Sequence, residues 1–261
     1  MTGDCPTLNE AYDMIHLITV GSGSSGNAYV IECTNEAGSV DRLIIEAGMR
    51  FKDVQKALKF DLSGIWGCLI SHEHKDHAGF ADQIAKRGIV LFSTRGTLDA
   101  IKLEKGSAMV PLPYKSYIAI GPFRVLTFQT EHDAAEPCGF LIGCPDGNTI
   151  LFATDTYYLK YRFEGVTMFM LECNYDEKIL QRNISSGLVH PSVGERVKKS
   201  HMSITQCIDT LKASDLSQTK AIVLIHLSSQ NSQAEDFAQR IEKATGKMVL
   251  VAKNGTETTI F

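Results

Sequence analysis

Ser71-His72-Glu73-His74-Lys75-Asp76-His77-Ala78-Gly79 follows directly on a brief apolar strand, Cys68–Ile70, and gathers three imidazoles and a carboxylate into six residues, His72 to His77. Neutral imidazole nitrogen and carboxylate oxygen are the usual ligands of zinc and related divalent ions. A loop leaving a strand can aim residues 72 and 74 one way while the turn at 76–77 points at a neighbouring spot. That layout suits two adjacent metal ions better than one. The competing reading is a solvated polar turn, but a chain with only eight histidines in 261 residues argues against such clustering by chance.

This segment alone leaves a metal incompletely coordinated, so further ligands must come from elsewhere. The remaining histidines are His16, His132, His190, His201 and His226. His132 follows the strand-like run FRVLTFQT, Asp155 follows TILFAT, and His226 follows AIVLI. The carboxyl ends of strands are where α/β folds assemble sites. One histidine at a strand end is ordinarily a satisfied polar residue, but recurrence at several strand ends beside HxHxDH points to a shared site.

The rest of the chain fits an α/β sandwich. Met14–Val20, Ala28–Cys33 and Arg42–Ile45 are short runs rich in Ile and Val, hence strands. Helices are expected over Phe51–Phe60, Ala78–Arg87 and Thr97–Glu104, with a strand at Ile89–Phe92. From Tyr117 to Phe152 the pattern is strand-like, broken at Gly121-Pro122 and Pro145-Asp146-Gly147. Strands at Thr167–Leu171 and Ala221–Ile225 alternate with helices at Ile204–Ala213 and Ala234–Ala244, and Met248–Ala252 and Thr256–Ile260 close as strands. Two sheets packed face to face with helices outside fit this order. No low-complexity linker divides the chain, so residues 1–261 are expected to form one domain.

Bulk composition narrows the function classes. Hydrophobic residues make up 44% and charged residues 21%, ordinary for a globular domain with a full core. A net charge of −4 provides no overall basic field for coating nucleic acid, though it permits a local phosphate-binding patch. Seven scattered cysteines with no CxxC pair fit small buried apolar residues in a reducing compartment better than a disulfide framework or a Cys-ligated zinc site. No apolar run reaches the roughly 18–20 residues needed to span a membrane. The N-terminal stretch MTGDCPTLNEAYDM is polar and acidic where a signal peptide would be basic and then apolar. A cytoplasmic location and no membrane partner are therefore expected.

A strand, HxHxDH and Gly, then a later His, a strand-ending Asp and a late strand-ending His, together resemble the metallo-β-lactamase superfamily over nearly the whole chain. The resemblance implies an αββα sandwich of two mixed sheets. It implies that His72, His74 and His132 bind one metal, that Asp76, His77 and His226 bind a second, and that Asp155 bridges them. Two such ions can share a hydroxide of lowered pKa and act as Lewis acids on the substrate. The all-nitrogen and oxygen ligand set accepts zinc and manganese alike. The flavodiiron branch has Glu where this chain has His74, and true β-lactamases usually lack the bridging Asp. Glyoxalase-type thioester hydrolases share all seven ligands and stay open as an alternative.

Smaller motifs lean toward phosphodiesters. Gly21-Ser22-Gly23-Ser24-Ser25-Gly26-Asn27, Asp133-Ala134-Ala135-Glu136-Pro137, Leu171-Glu172-Cys173-Asn174-Tyr175-Asp176, His201-Met202-Ser203 and His226-Leu227-Ser228 together look like the YycJ/WalJ-like branch of short nucleases, related to ribonuclease Z. That resemblance implies a 5′-to-3′ exonuclease with a nucleic-acid substrate, DNA rather than RNA. It also implies that Asp76 serves the catalytic centre, that His201 protonates the leaving oxygen, and that Glu172 orients His201 and raises its pKa. The alternative for His201 is a polar residue before a helix capped by Ser203. The Gly/Ser loop reads either as a phosphate nest or as a tight turn. Lys160, Arg162, Lys178, Arg182, Arg196, Lys198 and Lys199 are either a phosphate-binding rim or solvated faces beside acidic neighbours. Tyr157, Tyr158 and Tyr161 either stack on bases or pack.

Two departures from the family pattern stand out. Glu46-Ala47-Gly48 occupies the place of the family's Asp-Ala-Gly, whose acid braces the site, so metal preference or activity could shift. The large domain that ribonuclease J inserts between the bridging Asp and the last His has no counterpart here. A metal-binding scaffold without catalysis is the remaining alternative.

Overall fold

The computed structural model describes residues 12–104 and 106–259. Most of the polar N-terminal stretch, with Cys5, lies outside the described residues, as does Ile260. Strand β1 (Tyr12–Gly21), β2 (Ala28–Asn35) and β3 (Val40–Ile45) form an antiparallel meander. Helix α1 (Phe51–Ala57) leads to β4 (Ile65–Leu69), and two short helices follow, α2 (Lys75–Ala78) and α3 (Ala81–Ala85). After β5 (Leu91–Ser93), α4 (Arg95–Ala100) and β6 (Met109–Pro111), the chain moves to a second sheet. There β7 (Tyr117–Ile120), β8 (Phe123–Gln129) and β9 (Cys138–Gly143) are antiparallel, and β10 (Thr149–Ala153) pairs in parallel with β11 (Met168–Glu172). Helices α5 (Glu177–Ser185), α6 (Pro191–Ser200) and α7 (Ile204–Ala213) precede β12 (Ala221–Ile225). Helix α8 (Ala234–Thr245), β13 (Met248–Val251) and β14 (Thr256–Thr259) end the described chain.

The sheets run β14-β1-β2-β3-β4-β5-β6 and β13-β12-β11-β10-β9-β8-β7, each part antiparallel and part parallel. Strand alternation sorts the apolar side chains into three layers. Leu43 and Ile45 of β3, Tyr29 and Ile31 of β2, and Phe140, Phe152 and Met170 opposite fill the space between the sheets. The intervening residues Val30, Ile44 and Cys68 turn outward onto Phe51, Val54 and Ile84 of the helices on that side. On the far side, Phe169, Leu171, Ile222 and Leu224 pack on Ile204, Leu211, Phe237 and Ile241. Both faces of both sheets are thus covered, which is the expected αββα sandwich. The six described cysteines are free and buried. No helix among the described residues is long and apolar enough to cross a membrane.

Helix ends depart from the sequence expectation for local reasons. The helix at Phe51 stops at Ala57 because Lys59 and Phe60 take left-handed φ values of 52° and 65°. The segment expected as one helix from Ala78 to Arg87 is two, since the Phe80 N–H turns away to donate to the Ala47 carbonyl. Thr94 accepts from the Thr97 N–H and starts α4 at Arg95, while Ile101 turns extended and ends it short of Glu104. Helices α5 and α6 were not anticipated; Asp176, accepting from the Lys178 and Ile179 N–H groups, caps the first, and Pro191 opens the second.

The loops that leave β3 and β4 are stitched together. Ala47 N donates to His77 O at 2.6 Å, Asn27 N donates to Asp76 O at 2.8 Å, and Gly48 N donates to Asn27 O at 2.9 Å. A Cβ at Gly48 would collide with the Asp76 carbonyl oxygen, which is backbone and has no room to yield. Gly48→Ala is therefore expected to cost about 3 kcal/mol of folding stability and to displace the loop carrying residues 74–77. Urea unfolding measures this, and an unchanged midpoint would show that the two loops can part without cost.

Candidate metal centre

Apart from His201, which caps the C-terminus of α6, the sequence-predicted site residues lie at the carboxyl ends of strands, and those ends share one rim of the sandwich. β4 delivers His72, His74, Asp76 and His77; β8 delivers His132; β10, β11 and β12 deliver Asp155, Glu172 and His226. Three residues here, Glu46 (φ 68°), Asp155 (φ 43°) and His226 (φ 54°), hold left-handed backbone as the chain leaves its strand. L-residues rarely adopt that region, and it persists only where surrounding contacts over-determine it. Here the turn swings each side chain across the strand ends. Nothing in the residue types signals this conformation.

The ligand-type atoms fall into overlapping groups. Those of His72, His74, His132 and Asp155 lie within 4.8 Å of one another, and so do those of Asp76, His77, Asp155 and His226. Asp155 belongs to both. Its Oδ2 lies 3.5 Å from His132 Nε2 and 3.8 Å from His72 Nε2, while its Oδ1 lies 3.3 Å from His77 Nε2 and 3.2 Å from His226 Nδ1. Asp76 Oδ2 stands 3.4 Å from both His77 Nε2 and His226 Nε2.

The far nitrogens of two of these rings are anchored. His72 Nδ1 is hydrogen-bonded to Ser71 Oγ at 2.9 Å, and His132 Nδ1 to the Ser200 carbonyl of α6 at 2.9 Å. Such anchoring fixes ring orientation and tautomer, leaving Nε2 toward the site. His72 Nε2 is buried and has no hydrogen-bond partner. An unsatisfied buried polar atom costs roughly 1–3 kcal/mol, and a divalent ion among converging imidazoles and carboxylates removes that cost. The residues therefore fit a divalent metal site.

Charge compensation supports the same reading. Burial would raise the Asp155 carboxyl, but the His226 and His77 charges outweigh it and hold Asp155 far below the usual range. Burial would likewise pull His226 down, yet the Asp155 carboxylate and hydrogen bonds to Asp76 and Glu172 push it up to about 10. The same carboxylates that hold a charge on His226 would be met by the positive charge of a divalent cation.

Glu46 stands directly beneath. It is fully buried, its Oε1 accepts from the Ser71 N–H at 3.2 Å, and its Oε2 lies 3.4 Å from His77 Nδ1, an ion-pair distance too poorly aligned to be a hydrogen bond. Burial pushes its carboxyl up more than the His77 charge pulls it down. The longer side chain thus still reaches the ring that an aspartate would brace.

Glu172 and His201 form a pair beside these ligand-type residues. His201 Nδ1 and Glu172 Oε1 are 2.7 Å apart, and Glu172 Oε2 accepts from the Thr156 N–H at 3.0 Å and the Met202 N–H at 3.2 Å. Burial alone would lower the His201 imidazole, but the Glu172 carboxylate outweighs it and raises it. With Nδ1 committed to Glu172, Nε2 is the nitrogen left for a cavity of about 470 Å³ that His201 lines with His74, Asp76 and His132.

Other sequence expectations divide. The Gly/Ser loop is a tight turn whose amides are largely spent: Ser22 N on Asn254 Oδ1, Gly23 N on Asn27 Oδ1, Gly26 N on Gly23 O and Asn27 N on Asp76 O. It supports the site instead, since Ser22 Oγ accepts from the His226 N–H at 3.0 Å and Asn27 Nδ2 lies 3.3 Å from His77 Nε2. Asn27, Ser22 and the Ser200 carbonyl escape sequence reasoning because their roles depend on loops far apart in the chain. Of the seven basic residues considered, Arg196 alone lines the site cavity, while Lys160 and Arg162 line a separate one with Tyr158 and Tyr161. Tyr161 packs edge-on against Phe128 at 5.7 Å, whereas Tyr157 and Tyr158 are exposed.

A profile of the beta-lactamase superfamily domain matches residues 41–227. An exodeoxyribonuclease YycJ of Bacillus anthracis is 27% identical over 237 residues, covering 85% of each chain. The metallo-beta-lactamase fold protein YhfI of Bacillus subtilis superposes with a TM-score of 0.68 at 16% identity, covering 95% of this chain and 100% of that one. The short form of human tRNase Z superposes with a TM-score of 0.60, again at 16% identity, over 94% of this chain and 99% of that one. At these identities the two superpositions speak for the fold.

If Glu46 orients His77, Glu46→Ala should weaken divalent-metal affinity roughly 10- to 100-fold, and Glu46→Asp should restore part of it. Titration of metal-free protein against a chelating dye reads this directly. Equal affinities in all three proteins would show that His77 is held without Glu46.

Proposed function

Because this chain belongs to the beta-lactamase superfamily, whose fold and metal-type ligand rim it carries, we propose that it is a dinuclear metal-dependent phosphodiesterase, a DNA exonuclease working 5′ to 3′. The observation that carries this reading is the 2.7 Å His201–Glu172 pair beside the ligand cluster. An alkoxide leaving from phosphorus is a poor leaving group until protonated, so a positioned imidazolium has a defined task there. A thioester releases a good leaving group and needs no such acid. The exodeoxyribonuclease name of the Bacillus anthracis relative points the same way.

In this reading His72, His74 and His132 would hold one ion and Asp76, His77 and His226 the other, with Asp155 belonging to both groups of ligand atoms. Bound there, zinc or manganese would supply Lewis acidity toward the phosphate oxygens and acidify the attacking water. Ser71 and the Ser200 carbonyl keep the His72 and His132 rings aimed, and Glu46 faces the His77 ring at 3.4 Å. Glu172 holds His201 Nδ1, so that the proton delivered to the leaving oxygen comes from Nε2.

End-labelled single- and double-stranded DNA and matched RNA, incubated with the manganese- or zinc-loaded protein, test the proposal. Wild type is expected to degrade DNA from the 5′ end. Asp76→Asn should abolish cleavage, and His201→Ala should slow it about 10²- to 10⁴-fold. Thioester hydrolysis that is indifferent to His201→Ala, with all nucleic acids intact, would assign the site to small-molecule ester chemistry instead.

A further inference from the structure

The site cavity is bounded on one side by α6 and on the other by the turns at Ser24 and Ser228. Apart from the metal-type ligands and His201, its charged lining consists of Asp133 and Arg196. Arg196 is exposed, and among the described residues its guanidinium has neither an ion pair nor a hydrogen bond; only its backbone carbonyl is used, accepting from Ser200 Oγ at 2.7 Å. Lys198 on the same helix is already paired with Glu195 at 2.8 Å. A planar guanidinium left free at a cavity wall is well suited to bidentate capture of phosphate.

Arg196 and His201 share α6, with His201 as its C-terminal cap. They stand five positions apart, about 7.5 Å along the helix axis, a span that one sugar can bridge. A cavity of this volume takes a ligand the size of a single nucleotide rather than a duplex. We propose that Arg196 binds the phosphate lying one sugar beyond the scissile bond on the leaving-group side. The site then takes a terminal nucleotide that carries its own 5′-phosphate.

This rests on the phosphodiesterase reading, in which His201 marks the side from which the leaving oxygen departs. Water adds its oxygen to phosphorus, the bond from phosphorus to O3′ of the terminal nucleotide breaks, and His201 gives its proton to that O3′. The departing product is a nucleoside 5′-monophosphate with a free 3′-hydroxyl. The shortened strand keeps the attacked phosphate as a new 5′-phosphate, so every turnover regenerates the end that Arg196 recognises. Solvent returns the proton to His201.

The test compares thymidine dinucleotide with and without a 5′-phosphate, using manganese-loaded wild type, Arg196→Lys and Arg196→Gln. Wild type is expected to favour the phosphorylated dinucleotide by roughly 10- to 100-fold in kcat/KM, mainly through KM. Arg196→Gln should bring that ratio close to one, and Arg196→Lys should fall between. Efficient cleavage with no preference in wild type, or a preference that survives Arg196→Gln, overturns the proposal while leaving the nuclease reading intact. No cleavage of either dinucleotide or of longer DNA overturns both.

Discussion

Burying a carboxylate is affordable only when positive charge or hydrogen-bond donors meet it, and this chain buries three at one rim. Glu46, Asp155 and Glu172 are each at most 3% exposed. His77 faces both Glu46 and Asp155, His226 faces Asp155 and Glu172, and His201 closes on Glu172. The left-handed turns at Glu46, Asp155 and His226, the bare glycine against the Asp76 carbonyl and the serine beneath His226 all hold this set of charges in register. The two sheets supply the rigid strand ends, and the loops do the matching.

What the sequence made legible follows from how local each signal is. HxHxDH declares itself because its ligand types sit within six residues, and His132, Asp155 and His226 are found because apolar strand runs end just before them. The αββα order is readable for the same reason, since alternating apolar residues on both faces demand cover on both faces. Helix ends at Ala57 and Ala100, and the break at Phe80, were not legible, because left-handed backbone or a bond to a distant carbonyl sets them. Helices α5 and α6 were hidden behind a charge pattern that reads equally well as a basic rim. The Gly/Ser loop kept two readings open until its amides were seen to be engaged inside the fold.

Helix α6 links functions that the sequence lists separately. Its Ser200 carbonyl orients His132, its C-terminal cap is His201, and Arg196 lines the cavity one turn and more before it. Its apolar support is small, a cluster of Tyr175, Leu180 and Val189 with Ile184 and Val197 packed against it. A shift of this one helix would move the brace of a proposed ligand and the proposed acid together, so substitutions in that cluster act on both through α6.

The last strand returns to the sheet with which the chain began: β14 lies against β1, with Thr259 opposite His16. Just before it, Asn254 accepts from the Ser22 N–H in the loop that braces His226. On a ribosome the first sheet therefore emerges with one edge open and keeps it open while some 240 residues of later chain are made. Pairings of such long sequence separation form late and slowly, and an open edge invites wrong partners meanwhile. Closure of that edge and completion of the His226 support arrive together, so the rim is fully braced only once residues 254–259 have been made.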